Sequence, residues 1–311
     1  MADVQHAELS MKALVTGAAG FVGPHLAHHL QDEGDTFVLI DRGSGPDLLD
    51  HQGWLDLFEH ERPDVVYHLA GWSDVGASWQ NPLTAFDVNA RGTLHVLDAA
   101  RIMNVGRTIV VSSADIYGLV RPDELPLTER SPVRPRSPYG MSKEAAEAVA
   151  RQAHLGWGQE VVIARPFNHL GAGQGPGFVA PSFAAQIAAC ERAGGGSLGH
   201  GDLSTRRDLT DVRDVVRAYR LLAERGVSGE TYNICTGVDV AMSDVLDQLI
   251  KQSTVDITTY VDEALIRPID LPVHRGSAVK LRDATGWTPT FSLRQTLAEV
   301  LRDARMQAPE T

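Results

Sequence analysis

Short apolar runs alternate with longer amphipathic stretches through the first half of the chain. Five of these runs are predicted to be strands, at residues 13–16, 37–40, 65–69, 108–111 and 161–164. Two amphipathic stretches predict helices, over 81–103 with Asn81 as cap and Pro82 in the first turn, and over 139–154 behind Ser137. Because such alternation is typical of βαβ units, we expect a parallel sheet.

The pattern changes after Pro166. Two glycine-rich stretches, 171–177 and 194–201, predict loops that would be poor sheet elements. Helical periodicity returns over 210–224, and residues 231–234 predict one more strand. Two further helical patterns follow residue 239, separated by the proline-rich segment 267–272. These features predict a smaller lobe beside the sheet.

A glycine motif lies between the first strand and the helix after it. Gly17, Gly20 and Gly23 have the spacing Gly-x-x-Gly-x-x-Gly. Glycine allows a sharp turn and a close approach of the backbone to a pyrophosphate, and the free N–H groups of a helix start favour an anion. A glycine triplet alone is often only a tight turn, but its position here favours a dinucleotide site.

Asp41 ends the second predicted strand, about 20 residues after the glycines, where a carboxylate can bind ribose hydroxyls. It would repel a 2′-phosphate, so we expect NAD as the cofactor. Arg42 could pair with that phosphate, or it could be a solvated surface arginine, so NADP is possible.

These features predict an α/β fold, namely a Rossmann-type doubly wound parallel sheet with a smaller C-terminal substrate-binding lobe. We expect residues 11–165 to form the dinucleotide-binding domain, with 208–235 returning to it. Residues 166–207 and 236–311 are then expected to form the lobe.

Composition narrows the function classes. The 311 residues are 43% hydrophobic and 22% charged, which excludes disordered and fibrous classes, and the net charge of -12 disfavours a nucleic-acid partner. Cys190 and Cys235 lack metal-ligand spacing, so we expect free thiols and no metal. The polar, acidic N-terminus does not resemble a signal peptide, and no apolar stretch would span a membrane. We therefore expect a cytoplasmic protein with a short disordered leader.

Tyr139 and Lys143 lie four residues apart, on one face of a predicted helix. A phenol titrates near pH 10, and we expect Lys143 together with a positive nicotinamide to stabilise its anion. Ser113 follows the fourth strand at the carboxyl edge of the sheet and is the natural partner of the reacting oxygen. In isolation Tyr139 and Lys143 would fit an ordinary amphipathic helix.

Together, the glycine motif, residues 66–71, Asn89, Ser113, Tyr139 and Lys143 resemble the extended short-chain dehydrogenases of the NAD-dependent epimerase/dehydratase family. The resemblance implies Ser113, Tyr139 and Lys143 as catalytic triad. It implies a cofactor site formed by Gly17, Gly20, Phe21, Val22, Gly23, Asp41, Arg42, Asp47, Leu48, Leu69, Ala70, Gly71, Asn89, Tyr139, Lys143 and Pro166, with Asp47 and Leu48 near the adenine.

The resemblance extends into the C-terminal half and implies a nucleotide-sugar substrate. Asn168, in the segment 165–169, is the implied donor to the diphosphate. Arg207 and Arg267 are the implied phosphate arginines, either of which could instead form a surface ion pair. We also expect Val179 and Ser113 to contact the substrate.

The likeness is greatest to GDP-4-keto-6-deoxy-D-mannose reductases, in which NAD(P)H reduces C4 of a keto sugar. A 4-epimerase with tightly bound NAD would use the same triad. A 4,6-dehydratase needs an additional acid and base directly after Ser113, where this chain has Ala114 and Asp115, so it is the weaker alternative, with Asp115 a candidate proton-transfer group. A non-catalytic NAD(P)-binding regulator would usually lack the Tyr or the Lys.

The resemblance also implies a homodimer. The two helices predicted over 81–103 and 139–154 commonly pair across a two-fold axis as a four-helix bundle. The residues expected to form its face are Leu94, Leu97, Ala145, Ala148 and Val149. Burial against the chain's own sheet is the alternative.

Overall fold

The computed structural model describes residues 10–266 and 272–307, and this part of the chain contains twelve strands. Their bounds are β1 Lys12–Thr16, β2 Thr36–Ile40, β3 Val65–His68, β4 Arg107–Val111, β5 Val161–Pro166, β6 Asn168–Leu170, β7 Gly196–His200, β8 Arg206–Asp211, β9 Thr231–Ile234, β10 Asp239–Ala241, β11 Ile257–Val261 and β12 Val273–His274. The α-helices are α1 Val22–Asp32, α2 His51–Glu61, α3 Val75–Ser78, α4 Pro82–Phe86, α5 Gly92–Ile102, α6 Pro138–Trp157, α7 Val179–Ala193, α8 Val212–Arg225, α9 Met242–Ile250, α10 Val279–Thr285 and α11 Leu293–Gln307.

The large sheet has the strand order β2-β1-β3-β4-β5-β9, and all its neighbouring strands are parallel. It contains the six strands predicted from the apolar runs. The direction of winding reverses between β1 and β3, because β2 lies on one side of β1 and the later strands lie on the other. Ligands of doubly wound sheets bind beyond the carboxyl ends of the strands at this reversal. The predicted fold class is confirmed.

Alternate side chains of each strand pack on opposite faces of the large sheet. Ala13 and Val15 of β1 belong to the core shared with α1 and α8, whereas Leu14 packs with Trp54 and Phe58 of α2. This period of two, with apolar residues on both faces, is what a parallel sheet covered by two helical layers requires. The ends of the strands are thereby positioned by packing on both faces of the sheet.

The two predicted helices are present, with one difference in capping. Ser137 caps α6, since its Oγ accepts a hydrogen bond from Gly140 N at 3.0 Å. Asn81 precedes α4, but its side chain donates to the carbonyl of Ala77 at 3.1 Å and does not cap the helix. Between α4 and α5 the chain forms a π-helical turn, Asp87–Arg91.

The smaller sheets pair segments that are distant in sequence. β8 lies between antiparallel β10 and parallel β12 and also pairs with β6, while β7 pairs with β11. The prediction that 194–201 would be a poor sheet element is wrong. Leu198 is buried in the lobe core, and a Cβ on Gly199 would lie 3.0 Å from the Tyr260 ring. Glycine here permits the ring of Tyr260 to pack on the strand.

The lobe has its own apolar core, formed by α7, α9 and α11 with β6 and β7. Three helices follow residue 239 in the described part of the chain, where two were predicted, because the short α10 is an additional one. Leu281 of α10 and the nearby Trp287 are buried in the core of the large sheet. The predicted domain boundaries stay a prediction.

Candidate active site

The glycine turn joins β1 to α1 at the reversal of the sheet. Gly17 has a φ of +70°, and a Cβ there would lie 2.7 Å from the backbone of Ala70. A Cβ on Gly23 would lie 2.1 Å from the carbonyl oxygen of Ala18. Phe21 and Val22 begin α1, whose first turn carries no acidic residue. The turn therefore offers an open helix N-terminus to an anion.

Asp41 lies against this turn at the end of β2. Its carboxylate accepts hydrogen bonds from Ala19 N at 2.8 Å and from Arg42 N at 2.7 Å. The side chain of Arg42 is exposed and forms no hydrogen bond within the described residues. The carboxylate is thus fixed beside the glycine turn, as a ribose-binding group should be.

Asp47 and Leu48 lie in the loop between β2 and α2. The carboxylate of Asp47 accepts from Leu49 N at 2.8 Å, and its carbonyl accepts from the indole of Trp54 at 3.1 Å. Leu48 packs on Gly92, where a Cβ would lie 3.0 Å from the Leu48 side chain. Their contact with an adenine stays a prediction.

Buried polar side chains connect the ends of β1 and β3. Thr16 Oγ1 lies 2.9 Å from His68 Nδ1 and accepts from Ala70 N at 3.0 Å, while His68 Nε2 lies 3.1 Å from Thr93 Oγ1. Burial, with a smaller effect of Lys143, lowers the pKa of His68 to about 3, so the imidazole is neutral. These polar contacts were not predicted from the sequence, although polar residues at the ends of buried strands could have indicated them.

Asn89 lies in the π-helical turn and is 2% exposed. Its Oδ1 accepts from Trp72 N at 2.8 Å, and its Nδ2 donates to Trp72 O at 3.1 Å and to Ser142 Oγ at 2.8 Å. Asn89 therefore joins the segment after β3 to α6. Single π-helical turns often occur at functional sites.

Beyond the end of β4, the hydroxyl of Ser113 lies close enough to the Tyr139 phenol to lower its pKa. Ser113 Oγ also accepts from Asp115 N at 3.1 Å, and Ser78 Oγ accepts from Tyr139 N at 3.2 Å. Tyr139 is 7% exposed. The catalytic serine and tyrosine expected from the sequence therefore meet at the predicted edge.

Burial raises the pKa of the Tyr139 phenol above its ordinary value, and the charge of Asp115 raises it further, whereas the hydrogen bond with Ser113 lowers it. The phenol is thus held in its protonated form. The expectation that Lys143 together with a positive nicotinamide stabilises the phenolate stays a prediction. Asp115 acts on Tyr139 through its charge.

Lys143 lies behind Tyr139, with its Nζ donating to Val111 O at 2.9 Å. A Cβ on Gly71 would lie 3.3 Å from this Nζ and 2.6 Å from Asn89 Oδ1, so Gly71 leaves room for both groups. Burial lowers the pKa of Lys143 to about 8, and Glu147 opposes this change.

The expected substrate residues lie on the lobe side of the edge. Asn168 is exposed at the start of β6, and its pairing with Leu209 places it two residues along from Arg207 of β8. Side chains two residues apart on a strand share a face, so Asn168 and Arg207 can act on one ligand. Val179 is exposed at the start of α7. Arg267 lies outside the described residues.

Other charged side chains of the segments 165–169 and 206–211 form ion pairs or hydrogen bonds within the protein. Arg165 is buried in an ion pair with Glu147, and Arg206 pairs with Asp239. Asp208 is buried and accepts from the backbone N–H groups that follow β9. Arg207 is engaged as well, since its Nη1 donates to the carbonyl of Arg206 at 2.8 Å, and its part in phosphate binding stays a prediction.

Two classes of feature are absent from residues 10–266 and 272–307. No three or more His, Cys, Asp or Glu side chains there are arranged to hold a metal ion. No helix in the same ranges is long and apolar enough to cross a membrane.

Comparison with known proteins confirms the resemblance. Residues 13–235 match the model of the NAD dependent epimerase/dehydratase family. GDP-6-deoxy-D-mannose reductase of Pseudomonas aeruginosa is 36% identical over 297 residues, covering 95% of this chain and 97% of the relative. GDP-6-deoxy-D-talose 4-dehydrogenase of Aggregatibacter actinomycetemcomitans is 29% identical over 301 residues, covering 96% and 99%. The solved structure of RMD from Pseudomonas aeruginosa complexed with NADPH has a TM-score of 0.89 at 35% identity, covering 96% and 100%.

Proposed function

Because this chain belongs to the NAD dependent epimerase/dehydratase family, we propose that it uses NAD(P)H to reduce C4 of a 4-keto-6-deoxy sugar linked to GDP. The observation that carries the proposal is that Ser113 and Tyr139 meet beyond β4, with Lys143 one helical turn from Tyr139 and its Nζ held by Val111 O. Two relatives with full-length similarity are named for oxidation or reduction of GDP-6-deoxy sugars. Their names support GDP as the nucleotide.

The described residues fit a nicotinamide dinucleotide. The close contacts at Gly17 and Gly23 leave no room for side chains at the turn, and Asp41 is fixed beside it. We assign the pyrophosphate to the turn, a ribose to Asp41, and the nicotinamide end to Asn89, Tyr139, Lys143 and Pro166. The position of Asp41 supports NAD, while a relative's structure contains NADPH.

In this proposal the reduced nicotinamide supplies the hydride. Ser113 and Tyr139 bind the oxygen at C4 by donating hydrogen bonds, which polarises the carbonyl. Tyr139 then gives its proton to that oxygen, and the raised pKa keeps it protonated before the reaction. Lys143 holds a positive charge behind the phenolate that forms. The burial of Tyr139, which is 7% exposed, limits the access of water to the phenol.

Substrate binding is assigned to the lobe side. Asn168 and Arg207 share a sheet face and are proposed to bind the diphosphate, with Arg267 as a further arginine and Val179 as an apolar contact. Charge-assisted hydrogen bonds from arginine suit phosphate oxygens. A 4,6-dehydratase is less well supported, since Ala114 is apolar and 2% exposed where an acid or base is needed.

Cofactor stoichiometry tests the proposal. A reductase consumes one reduced cofactor per product, whereas an epimerase or a dehydratase returns the hydride and shows no net change. We expect GDP-4-keto-6-deoxy-mannose to oxidise added NADH or NADPH one for one. Conversion of a nucleotide sugar without added cofactor and without net oxidation would instead establish the epimerase alternative.

Assembly and localisation are also proposals. Leu94 and Met141 are exposed on α5 and α6, which supports a homodimer through these helices. Leu97 does not fit the predicted face, because it is buried against the chain's own strands β4 and β5. A monomeric mass by light scattering at micromolar concentration would contradict the dimer. Cys190 and Cys235 are free and buried, as expected of a cytoplasmic protein.

A further inference from the structure

Glu147 is a fully buried carboxylate one helical turn beyond Lys143 on α6. Arg165 of β5 pairs with both of its oxygens, Nε to Oε1 at 2.7 Å and Nη2 to Oε2 at 2.6 Å. Arg151, on the more exposed side, donates to Oε2 at 2.9 Å. Burying a charged group is costly, so the position of Glu147 requires an explanation.

The ion pair connects α6 to the turn that carries the catalytic serine. Arg165 Nη1 donates to the hydroxyl of Tyr117 at 3.0 Å, and that hydroxyl donates to Asn233 Oδ1 at 2.7 Å. Tyr117 ends the short helical turn that follows Ser113. A buried hydrogen-bonded network therefore extends from Glu147 to the segment of Ser113.

The surroundings of Lys143 contain few compensating charges. Its Nζ donates to a carbonyl, His68 is neutral, and Tyr139 is a protonated phenol. The charge of Asp115 raises the pKa of the Tyr139 phenol. Within the described residues, Glu147 is the carboxylate that raises the pKa of Lys143 against the effect of burial.

We propose that Glu147 is a positioning residue, whose carboxylate keeps the Lys143 ammonium charged and, through Arg165, fixes the turn that holds Ser113. Without the Glu147 carboxylate, three cationic side chains would lie close together with no anion among them, namely Lys143, Arg165 and Arg151. The lysine is the group among them that can lose its proton, so it would become neutral. Only the kinetic part of the test rests on the proposed function.

The direct test is a pH titration of Lys143 by NMR in protein labelled with ¹³C at lysine Cε. The chain contains only four lysines, and a Lys143→Met variant identifies the signal. In Glu147→Gln we expect the midpoint to fall by about one pH unit or more. The matched control is Arg151→Gln, which removes a partner of Glu147 but keeps the charge of Glu147. In this control the Lys143 midpoint should stay the same or rise. An unchanged midpoint in folded Glu147→Gln overturns the proposal.

A second variant covers the case in which Glu147→Gln fails to fold because Arg165 is left unpaired. Glu147→Gln combined with Arg165→Met removes both buried charges, and its Lys143 midpoint should still fall below that of the wild type. A wild-type midpoint in this double variant contradicts the proposal. In Glu147→Asp, the titration midpoint of Lys143 should return most of the way to the wild-type value.

The kinetic part is the alkaline limb of kcat, which should move to lower pH together with the NMR midpoint in Glu147→Gln. A limb that does not follow the midpoint contradicts the role in turnover. If the wild type does not reduce the keto sugar, the proposed function fails, while the NMR result still decides the role of Glu147.

Discussion

The large sheet and the sheet around β8 join distant segments by different interactions. In the large sheet, alternating apolar residues such as Leu14 and Val15 pack on two helical layers. In the sheet around β8, a buried carboxylate joins distant segments, since Asp208 accepts from Thr236 N at 2.8 Å and from Gly237 N at 2.9 Å. The strands of the catalytic edge are therefore positioned by a local apolar pattern, whereas the strand of Arg207 also depends on polar contacts between segments distant in sequence.

The largest effect is expected at the catalytic edge, in Tyr139→Phe. The variant removes the proton donor but keeps the packing of the ring. We expect kcat to fall on the order of a hundredfold or more, with little change in cofactor affinity. Steady-state kinetics and a fluorescence titration of NADH measure the two quantities. An equal loss of both would mean that Tyr139 mainly shapes the cofactor site.

A stability change is expected from Asp208→Ala in β8. The substitution leaves N–H groups at Thr236 and Gly237 without their acceptor, which should cost about 2 kcal/mol. Urea unfolding gives the free energy, and Asp202→Ala is the control, because Asp202 is an exposed carboxylate in the loop before β8. Equal stability of the two variants would contradict the role assigned to buried carboxylates.

Asn168→Ala separates substrate binding from chemistry. Asn168 is exposed beside Arg207 and is distant in sequence from the triad, so its loss should raise KM about fivefold with little change in kcat. The measurement is steady-state kinetics with the GDP-linked keto sugar. A selective fall in kcat would place Asn168 with the catalytic groups instead.

The smallest effect is expected for cofactor choice. In the wild type NADH should bind at least as well as NADPH, and Asp41→Ala should weaken NADH several-fold while sparing NADPH, since a carboxylate binds ribose hydroxyls but repels a phosphate. Calorimetric titration of both cofactors measures this. A strong NADPH preference that Asp41→Ala leaves unchanged would assign the specificity elsewhere.

The large sheet was predictable because its signals are local. Apolar runs marked each of its strands. The turn of Gly17 and Gly23 could be predicted because these glycines follow the first strand directly and have no room for a side chain. The π-helical turn around Asn89 was not predicted, and the predicted capping by Asn81 is absent, because both positions depend on contacts with neighbouring segments.

The lobe was less predictable because its strands are short and pair over long distances. β7 reads as a glycine-rich loop until β11 is placed beside it and Tyr260 covers Gly199. The sequence alone assigned no role to Arg165. Its burial with Glu147 is a property of the folded chain.

The central claim, reduction at C4, is tested most directly by following the hydride itself. The protein would be mixed with GDP-4-keto-6-deoxy-mannose and with NADH or NADPH carrying deuterium at the transferred position. We predict one deuterium at C4 of the sugar in the product, with an equal amount of oxidised cofactor released. A product without deuterium, or a nucleotide sugar converted with no cofactor oxidised, would contradict the reductase assignment.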